Sequence, residues 1–503
     1  MALAFILIAT VGYCLYRFFT RNFNYWRDRN VAGPTPIPLF GNIKESVLRR
    51  KIIGAVYQKI YYDFPQEKIV GVYKMTSPCL LIRDPDIVKQ VLVKDFDIFA
   101  DRVLWSGKEA LAMNLLSAPA NTWRILRYKF TPLFTSAKLK NMFPLINETS
   151  DKFIRFLEKV TQTQPEQEVK ALMSKFTMMN IGTCAFGLDL DMTEKCEATE
   201  FLEKINEMIF TTRYTDEINM LFPGIFIKIG VPIFPTEITK FFKNLVTQVM
   251  TARKGTPSDK NDFMDLLLEM KQLHTVQGRK RSEEEDIESL EITEDLMAAQ
   301  AFVFYAAGFD TSATRMSYML YQLALNPEIQ DRLVKEIQEV VERHGGKITY
   351  DALNDLTYFE RVLNETLRIN SQGVLINRVA VADYKIPGTH VTLEKGQQVV
   401  ISLSSLHSDE KYWTDPARFD PDRFTPDNVA KRHPAGYLPF GMGPRGCIGA
   451  RFAKVQMQVA MMKILLMFKV EATENTRKEF HYDPYRALTF PVGGIKINFI
   501  PRQ

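Results

Sequence analysis

From Met1 to Tyr16 the chain carries no charge, and Arg17, Arg21, Arg27 and Arg29 follow closely. Extended through Phe18 and Phe19, the apolar run approaches the length of a membrane-spanning helix. A cleaved signal peptide places basic residues before such a run and a small-residue site after it. Here the order is reversed, so residues 1–20 read as an anchor whose arginines keep the body on the cytosolic side. Gly33-Pro34-Thr35-Pro36-Ile37-Pro38 is too proline-rich to be helical, and residues 21–38 read as a basic, stiff hinge. The body, 39–503, begins with two apolar runs, Ile69–Met75 and Leu80–Arg83, that predict a hairpin turning at Ser77-Pro78, after which Pro85 opens a helix.

From there to about Arg368 the apolar spacing is mainly helical, with breaks expected at Pro119, Pro132, Pro223, Pro232 and Pro235. The longest helix starts at Glu294, capped by Thr293, and stops at Asn326 before Pro327. It is apolar on nearly every face around Ala298 to Gly308, so it must be buried. Strand-like segments return at Val374–Val381 and Gln397–Leu403, and Ala450–Phe468 has helical spacing again. The pattern predicts a mainly α protein, a helical body with a small β-sheet region.

Composition narrows the class. With 46% hydrophobic and 24% charged residues in 503, a sizeable core is possible and global disorder is excluded. No linker divides the body, which reads as one large globular unit. A net charge of +5 is mild. No basic run interleaved with aromatics argues for nucleic acid, whereas anionic lipid or an acidic partner would suit the charge. The run Arg279–Asp286 reads as a solvated loop. The five cysteines, Cys14, Cys79, Cys184, Cys196 and Cys447, form no CxxC pair and no even framework, which points to a reduced, cytosolic compartment.

One cysteine stands apart. In Pro439-Phe440-Gly441-Met442-Gly443-Pro444-Arg445-Gly446-Cys447-Ile448-Gly449, glycines and a proline forbid regular structure until Gly449. Cys447 therefore sits just before a helix N-terminus, where partial positive charge favours a thiolate able to bind a soft metal. Phe440, Gly443, Arg445, Cys447 and Gly449 fall on Phe-x-x-Gly-x-Arg-x-Cys-x-Gly, which resembles the haem-binding loop of the cytochromes P450. The resemblance covers nearly the whole chain and is nearest to insect microsomal members, above all lepidopteran enzymes that oxidise furanocoumarins. Phrases such as Phe23-Asn24-Tyr25-Trp26 and Phe130-Thr131-Pro132-Leu133-Phe134 carry it.

The resemblance implies a haem b cofactor with Cys447 as axial thiolate, Phe440 beside the ring and Gly449 among the cofactor-binding positions. Trp123 and Arg127, four apart on one helix face, match the family's Trp-x-x-x-Arg; with Arg102, Arg378 and Arg445 they would hold the haem propionates. Ala307-Gly308-Phe309-Asp310-Thr311-Ser312 resembles the oxygen-activation motif, making Thr311 and Asp310 the proton-handling pair. Glu365-Thr366-Leu367-Arg368 matches Glu-x-x-Arg, and Arg423, in Phe419-Asp420-Pro421-Asp422-Arg423-Phe424, would complete a buried ionic knot. The chain departs from its relatives at Ile369-Asn370-Ser371-Gln372, where prolines are common.

The implied activity is insertion of one oxygen atom from O2 into apolar small molecules such as plant toxins. Electrons would come from NADPH through a cytochrome P450 reductase, with cytochrome b5 as a further partner, at the endoplasmic reticulum membrane. Arg124, Lys129, Lys431, Arg432 and Lys454 would dock the acidic reductase. The segment Ser106–Ala120 would lie over the haem with the aliphatic tip Leu115-Leu116-Ser117-Ala118, and Leu488 is aliphatic too. Phe210, Phe302, Phe304 and Phe309 are the aromatic candidates for the pocket. Hormone or lipid hydroxylation, peroxide rearrangement without O2, and a non-catalytic haem carrier are the competing readings.

Overall fold

The computed structural model describes residues 1–102, 109–188, 197–222, 225–232, 234–258, 262–278, 288–371, 374–486 and 488–502. Cys196, Gln372 and the charge run Arg279–Asp286 lie outside them, as does the start of the segment from Ser106. The body is built around one helix, Glu294–Leu325, whose N-cap Thr293 accepts a hydrogen bond from the Leu296 amide at 3.1 Å. Both its ends fall where Thr293 and Pro327 place them, because a satisfied cap and a residue lacking an N–H are local signals.

That central helix packs along Val169–Phe186 in the largest core cluster. Gly308 makes the approach close: a Cβ there would come within 2.7 Å of the Ile181 Cδ1. The helix Ala450–Met467, which follows the cysteine loop, is cross-linked to both by a buried amide. Gln456 Nε2 donates to Ser312 Oγ at 2.6 Å, and its carbonyl accepts from Asn180 Nδ2 at 2.9 Å. A polar network buried this way is tolerated because its members are paired, and it fixes the register of three helices.

Pro144 does not break its helix, which runs unbroken from Ser136 to Thr163. The ring removes one backbone bond, but the stripe Leu139, Phe143, Ile146, Phe153 and Leu157 is buried, and packing outweighs local preference.

The main sheet has the order Ile69–Lys74, Ser77–Ile82, Gln398–Ser402, Leu375–Val379. Its hairpin turns at Met75-Thr76, with Met75 at φ 58°, rather than at Ser77-Pro78. Pro78 is accommodated inside the second strand because the parallel partner begins pairing only at Cys79, so no sheet bond is lost. A second sheet joins Phe468–Ala472, Lys496–Pro501 and Glu166–Glu168.

At the N-terminus, Ala2–Thr20 is a single helix of mean hydropathy 1.8 with no buried residue, long and apolar enough to cross a membrane. The stretch after it is tied to the sheet rather than hanging free. Trp26 is 2% exposed and donates from Nε1 to the Val72 carbonyl at 3.0 Å, and the Gly71 amide donates to the Ala32 carbonyl at 2.8 Å. Glycine is required where these layers meet, since a Cβ on Gly33 would sit 1.9 Å from the Gly71 carbonyl oxygen.

Candidate active site

The cysteine loop is folded by its own backbone. The Cys447 amide donates to the Phe440 carbonyl at 2.8 Å, and the Gly446 amide to that of Gly443 at 2.9 Å. Gly441 and Gly443 have φ of 72° and 74°, and a Cβ on Gly443 would lie 1.9 Å from the Leu92 carbonyl oxygen. Glycine at 443 is thus demanded twice, by conformation and by space. A Cβ on Gly449 would meet only the Phe134 ring at 3.8 Å, so that position serves as the helix N-cap and imposes no comparable steric demand.

Two arginines clamp the loop from outside. Arg127 Nη1 donates to the Gly446 carbonyl at 2.9 Å, and Arg102 Nη2 to the Arg445 carbonyl at 3.0 Å. Burial pushes the Cys447 thiol up, while the Gly449 N–H and the charges of Arg127 and Arg102 pull it down. The side chain itself remains exposed. A deep thiol held among cations, with its surface open, is placed to coordinate a soft metal, and coordination would remove its proton.

Arg445 and Arg378 complete a cluster of cations. The Arg445 guanidinium lies 4.3 Å from the Trp123 ring centroid and donates to the Leu116 and Ala118 carbonyls at 3.3 and 3.0 Å. Arg378, on the edge strand of the main sheet, donates from its side chain to its neighbouring Asn377 carbonyl at 2.8 Å. The Nε of each is buried with no partner among the described residues. Burial, reinforced by Arg102, pushes Arg445 and Arg378 down to about 9. Burial and then Arg127 push Arg102 down to about 10. Cations held together this way are costly unless an anion joins them. Two carboxylates on an apolar ring supply that anion, so haem is a group these residues fit.

The central helix has one open face. Of the described residues from Leu296 to Ala324, only Ala307 and Thr311 are exposed, one turn apart on one side. Thr311 Oγ1 donates to the Ala307 carbonyl at 2.6 Å. Asp310 turns to another side of the helix and is ion-paired with Lys170, whose Nζ also donates to Thr314 Oγ1 at 2.8 Å. Burial pushes the Lys170 ammonium down and Asp310 pulls it back. Sequence reasoning did not anticipate Lys170. It lies 140 positions from Asp310, and no local pattern marks the pairing.

Behind the loop, Glu365 and Arg368 are both fully buried. Arg368 donates from Nε and Nη2 to the two Glu365 oxygens, each at 2.7 Å, and Arg423 Nε lies 3.3 Å from Glu365 Oε1. Arg368 also donates to the His407 and Pro416 carbonyls at 2.9 and 2.8 Å. His407 Nε2 accepts the Leu438 amide at 2.9 Å, which carries the knot to the start of the cysteine loop. His407 is a second residue the sequence did not mark; burial and then Arg368 push it down to about 3, so it stays neutral and remains an acceptor. At the end of this helix, Asn370 Nδ2 donates to the Thr366 carbonyl at 3.2 Å and Ser371 Oγ to that of Arg368 at 2.9 Å. These caps close the helix, and the edge strand Leu375–Val379 still forms.

Of the aromatic pocket candidates, Phe302 packs edge-on against Phe234 and Phe242, and Phe304 stacks on Phe263 at 4.0 Å. Phe210 and Phe309 are 6.2 Å apart, and the Thr212 amide donates to the Tyr485 carbonyl at 2.7 Å, bringing the turn that leads to Leu488 alongside. Among the docking cations, Arg432 is withdrawn, lying 4.0 Å from the Trp413 ring centroid and donating to the Arg423 carbonyl. Arg124 pairs with Asp97 and Lys454 with Glu360.

The cytochrome P450 family model matches residues 31–499. Cytochrome P450 6B1 of Papilio polyxenes is 47% identical over 496 residues, covering 99% of each chain. Cytochrome P450 6B4 of Papilio glaucus is 49% identical over all of both chains, and cytochrome P450 6a2 of Drosophila melanogaster is 37% identical over 98% of each. A helical body with small sheets, a cysteine loop ringed by arginines and a match along nearly its whole length place this chain in the cytochrome P450 family, as a monooxygenase whose cofactor is haem-thiolate iron.

Proposed function

We propose that the enzyme inserts one oxygen atom from O2 into apolar small molecules of the plant-toxin and xenobiotic kind, in the endoplasmic reticulum membrane. Electrons would come from NADPH through its reductase, with cytochrome b5 as a second donor. The observation that carries the reading is the cluster of Arg102, Arg127, Arg378 and Arg445 around an exposed Cys447; Ala307 and Thr311 of the central helix would face the cofactor from the other side. Haem bound there would supply the activation of O2. Cys447 would hold its iron, with Phe440 and Gly449 shaping the loop side and Trp123 and the arginines taking the propionates.

Thr311 and Asp310 would handle protons. The Thr311 hydroxyl, already donating to Ala307, keeps its lone pairs for a water or a polar substrate atom on the exposed face. Asp310 is the nearest acid in sequence, and its ion pair with Lys170 holds it in place. Thr311→Ala is expected to lower product formed per NADPH consumed by about 10²-fold, in line with loss of one general acid–base group. Parallel assays of NADPH consumption and product, with a peroxide-driven control, check this. Equal losses in both reactions would assign Thr311 to packing alone.

The reductase would meet the cysteine-loop side, where a hollow of about 430 Å³ is lined by Val93, Lys94, Phe96, Arg124, Tyr128 and Pro444. Lys129 is on the same helix as Arg124, Ala120–Phe130. Reversing Lys129 and Lys454 to glutamate is expected to slow reduction about tenfold at low salt, while leaving substrate-induced spectral shifts unchanged. Stopped-flow reduction across a salt series reads this, and an unchanged rate would move the docking face elsewhere.

Substrate preference would follow from a mixed lining, aliphatic at Leu116 and Leu488 and aromatic at Phe210 and Phe309. A flat aromatic ligand gains from stacking; with aliphatic side chains at the loop tip and near the end of the chain, the pocket would favour a broad range of apolar shapes. A panel of plant toxins screened for spectral shifts tests it. Tight furanocoumarin binding beside weak turnover of aliphatic compounds would count against it.

A further inference from the structure

The stretch Leu111–Ala118 is wired as a compact loop. Asn114, 1% exposed, accepts at Oδ1 from the Leu116 and Ser117 amides at 2.8 and 3.1 Å and donates from Nδ2 to the Leu111 carbonyl at 2.7 Å. Leu111, Ala112, Leu115 and Ala118 are buried, whereas Leu116 is 42% exposed. A loop whose other apolar side chains point inward presents Leu116 as its accessible tip.

This loop is held at neighbouring positions by two different parts of the site. Arg445 and Arg102 donate to the Leu116 carbonyl at 3.3 and 3.4 Å. Just before it, a single carboxamide on the central helix takes hold. Gln300 is fully buried; its Oε1 accepts the Leu115 amide at 3.0 Å, and its Nε2 donates to the Met113 carbonyl at 2.7 Å and to the Leu296 carbonyl at 3.3 Å. Both amide hydrogens and one oxygen lone pair are thereby used. Gln300 lies eleven positions before Thr311, three turns along the same helix, so it fixes the loop relative to the helix that carries the reactive face.

We propose that Gln300 is a specificity-determining positioning residue: by holding Met113–Leu115 to the central helix it sets how far Leu116 reaches into the substrate space, and so the largest apolar molecule the site admits. The inference rests on the haem-thiolate reading for the location of that space, but the attachment of the loop does not. Removing the amide leaves the Leu115 N–H and the Met113 carbonyl buried and unpaired, which drives the loop to move towards water. Leu116 is then held by the two arginines alone, and its reach is no longer fixed.

Gln300→Leu keeps the side chain's bulk and removes both bonds. In the reconstituted full chain, amide hydrogen exchange over 111–118 should quicken about tenfold at Leu115, while the carbon monoxide band of the reduced protein keeps its position. Affinities for two apolar probes, a single-ring and a three-ring aromatic, are then read from substrate-induced spectral shifts. The ratio favouring the smaller probe should fall about tenfold, the range a change of a few methylene-sized volumes produces in an apolar pocket. Leu116→Ala shortens the tip without touching the amide, so it should change the ratio similarly and leave exchange at Leu115 slow. It keeps the proposal testable if Gln300→Leu does not fold. Unchanged exchange in Gln300→Leu, or an unchanged ratio in either variant, overturns the proposal. A wild-type protein lacking the thiolate-type carbon monoxide band would instead overturn the haem reading, with the exchange result still deciding whether Gln300 holds the loop.

Discussion

Glu365→Ala is expected to yield no haem-loaded protein. Glu365 and Arg368 are both fully shielded from water, and the carboxylate also accepts the Asp420 amide at 3.0 Å beside Arg423. Taking it away leaves two guanidinium groups without their counter-charge in a dry interior, a loss of about 3–5 kcal/mol. That is a large part of the roughly 5–15 kcal/mol by which a folded protein exceeds its unfolded chain. Through the Arg368–His407–Leu438 chain of bonds, the damage reaches the start of the cysteine loop. Soluble yield, haem content and thermal unfolding check the expectation. A variant of wild-type stability would reduce the knot to a solvated helix pair.

Cys447→Ser should fold, because the side chain is small and exposed and the loop is held by backbone bonds from Phe440 to Cys447 and from Gly443 to Gly446. It should nevertheless lose product formation by at least about 10³-fold, since a hard hydroxyl does not replace a soft thiolate donor. Comparing turnover at equal haem content separates loss of ligand from loss of cofactor. Turnover within a few-fold of wild type would remove Cys447 from the iron.

The elements that local chemistry dictates were legible in the sequence. Thr293 and Pro327 bound the central helix, and the glycines of 441–449 delayed the next helix until Ala450. Features that depend on distant partners were not. Glu166–Glu168 is a polar triplet that becomes a strand only because Lys496–Asn498 lies beside it. Pro144 sits inside a helix carried by a buried stripe. Within the site, Arg102, Trp123, Arg127, Arg378 and Arg445 carry family patterns and do converge. Lys170, Gln300 and His407 are ordinary side chains in sequence, and only the fold shows that their bonds span 140, 187 and 31 positions.

The central claim is a bond from the Cys447 sulfur to iron. Reducing the purified protein and adding carbon monoxide should move the main absorption band to the long wavelength that thiolate ligation produces, and Cys447→His should abolish that position while keeping haem bound. A wild-type band at the shorter wavelength of a nitrogen-ligated haem, or a long-wavelength band that persists in Cys447→His, would contradict it.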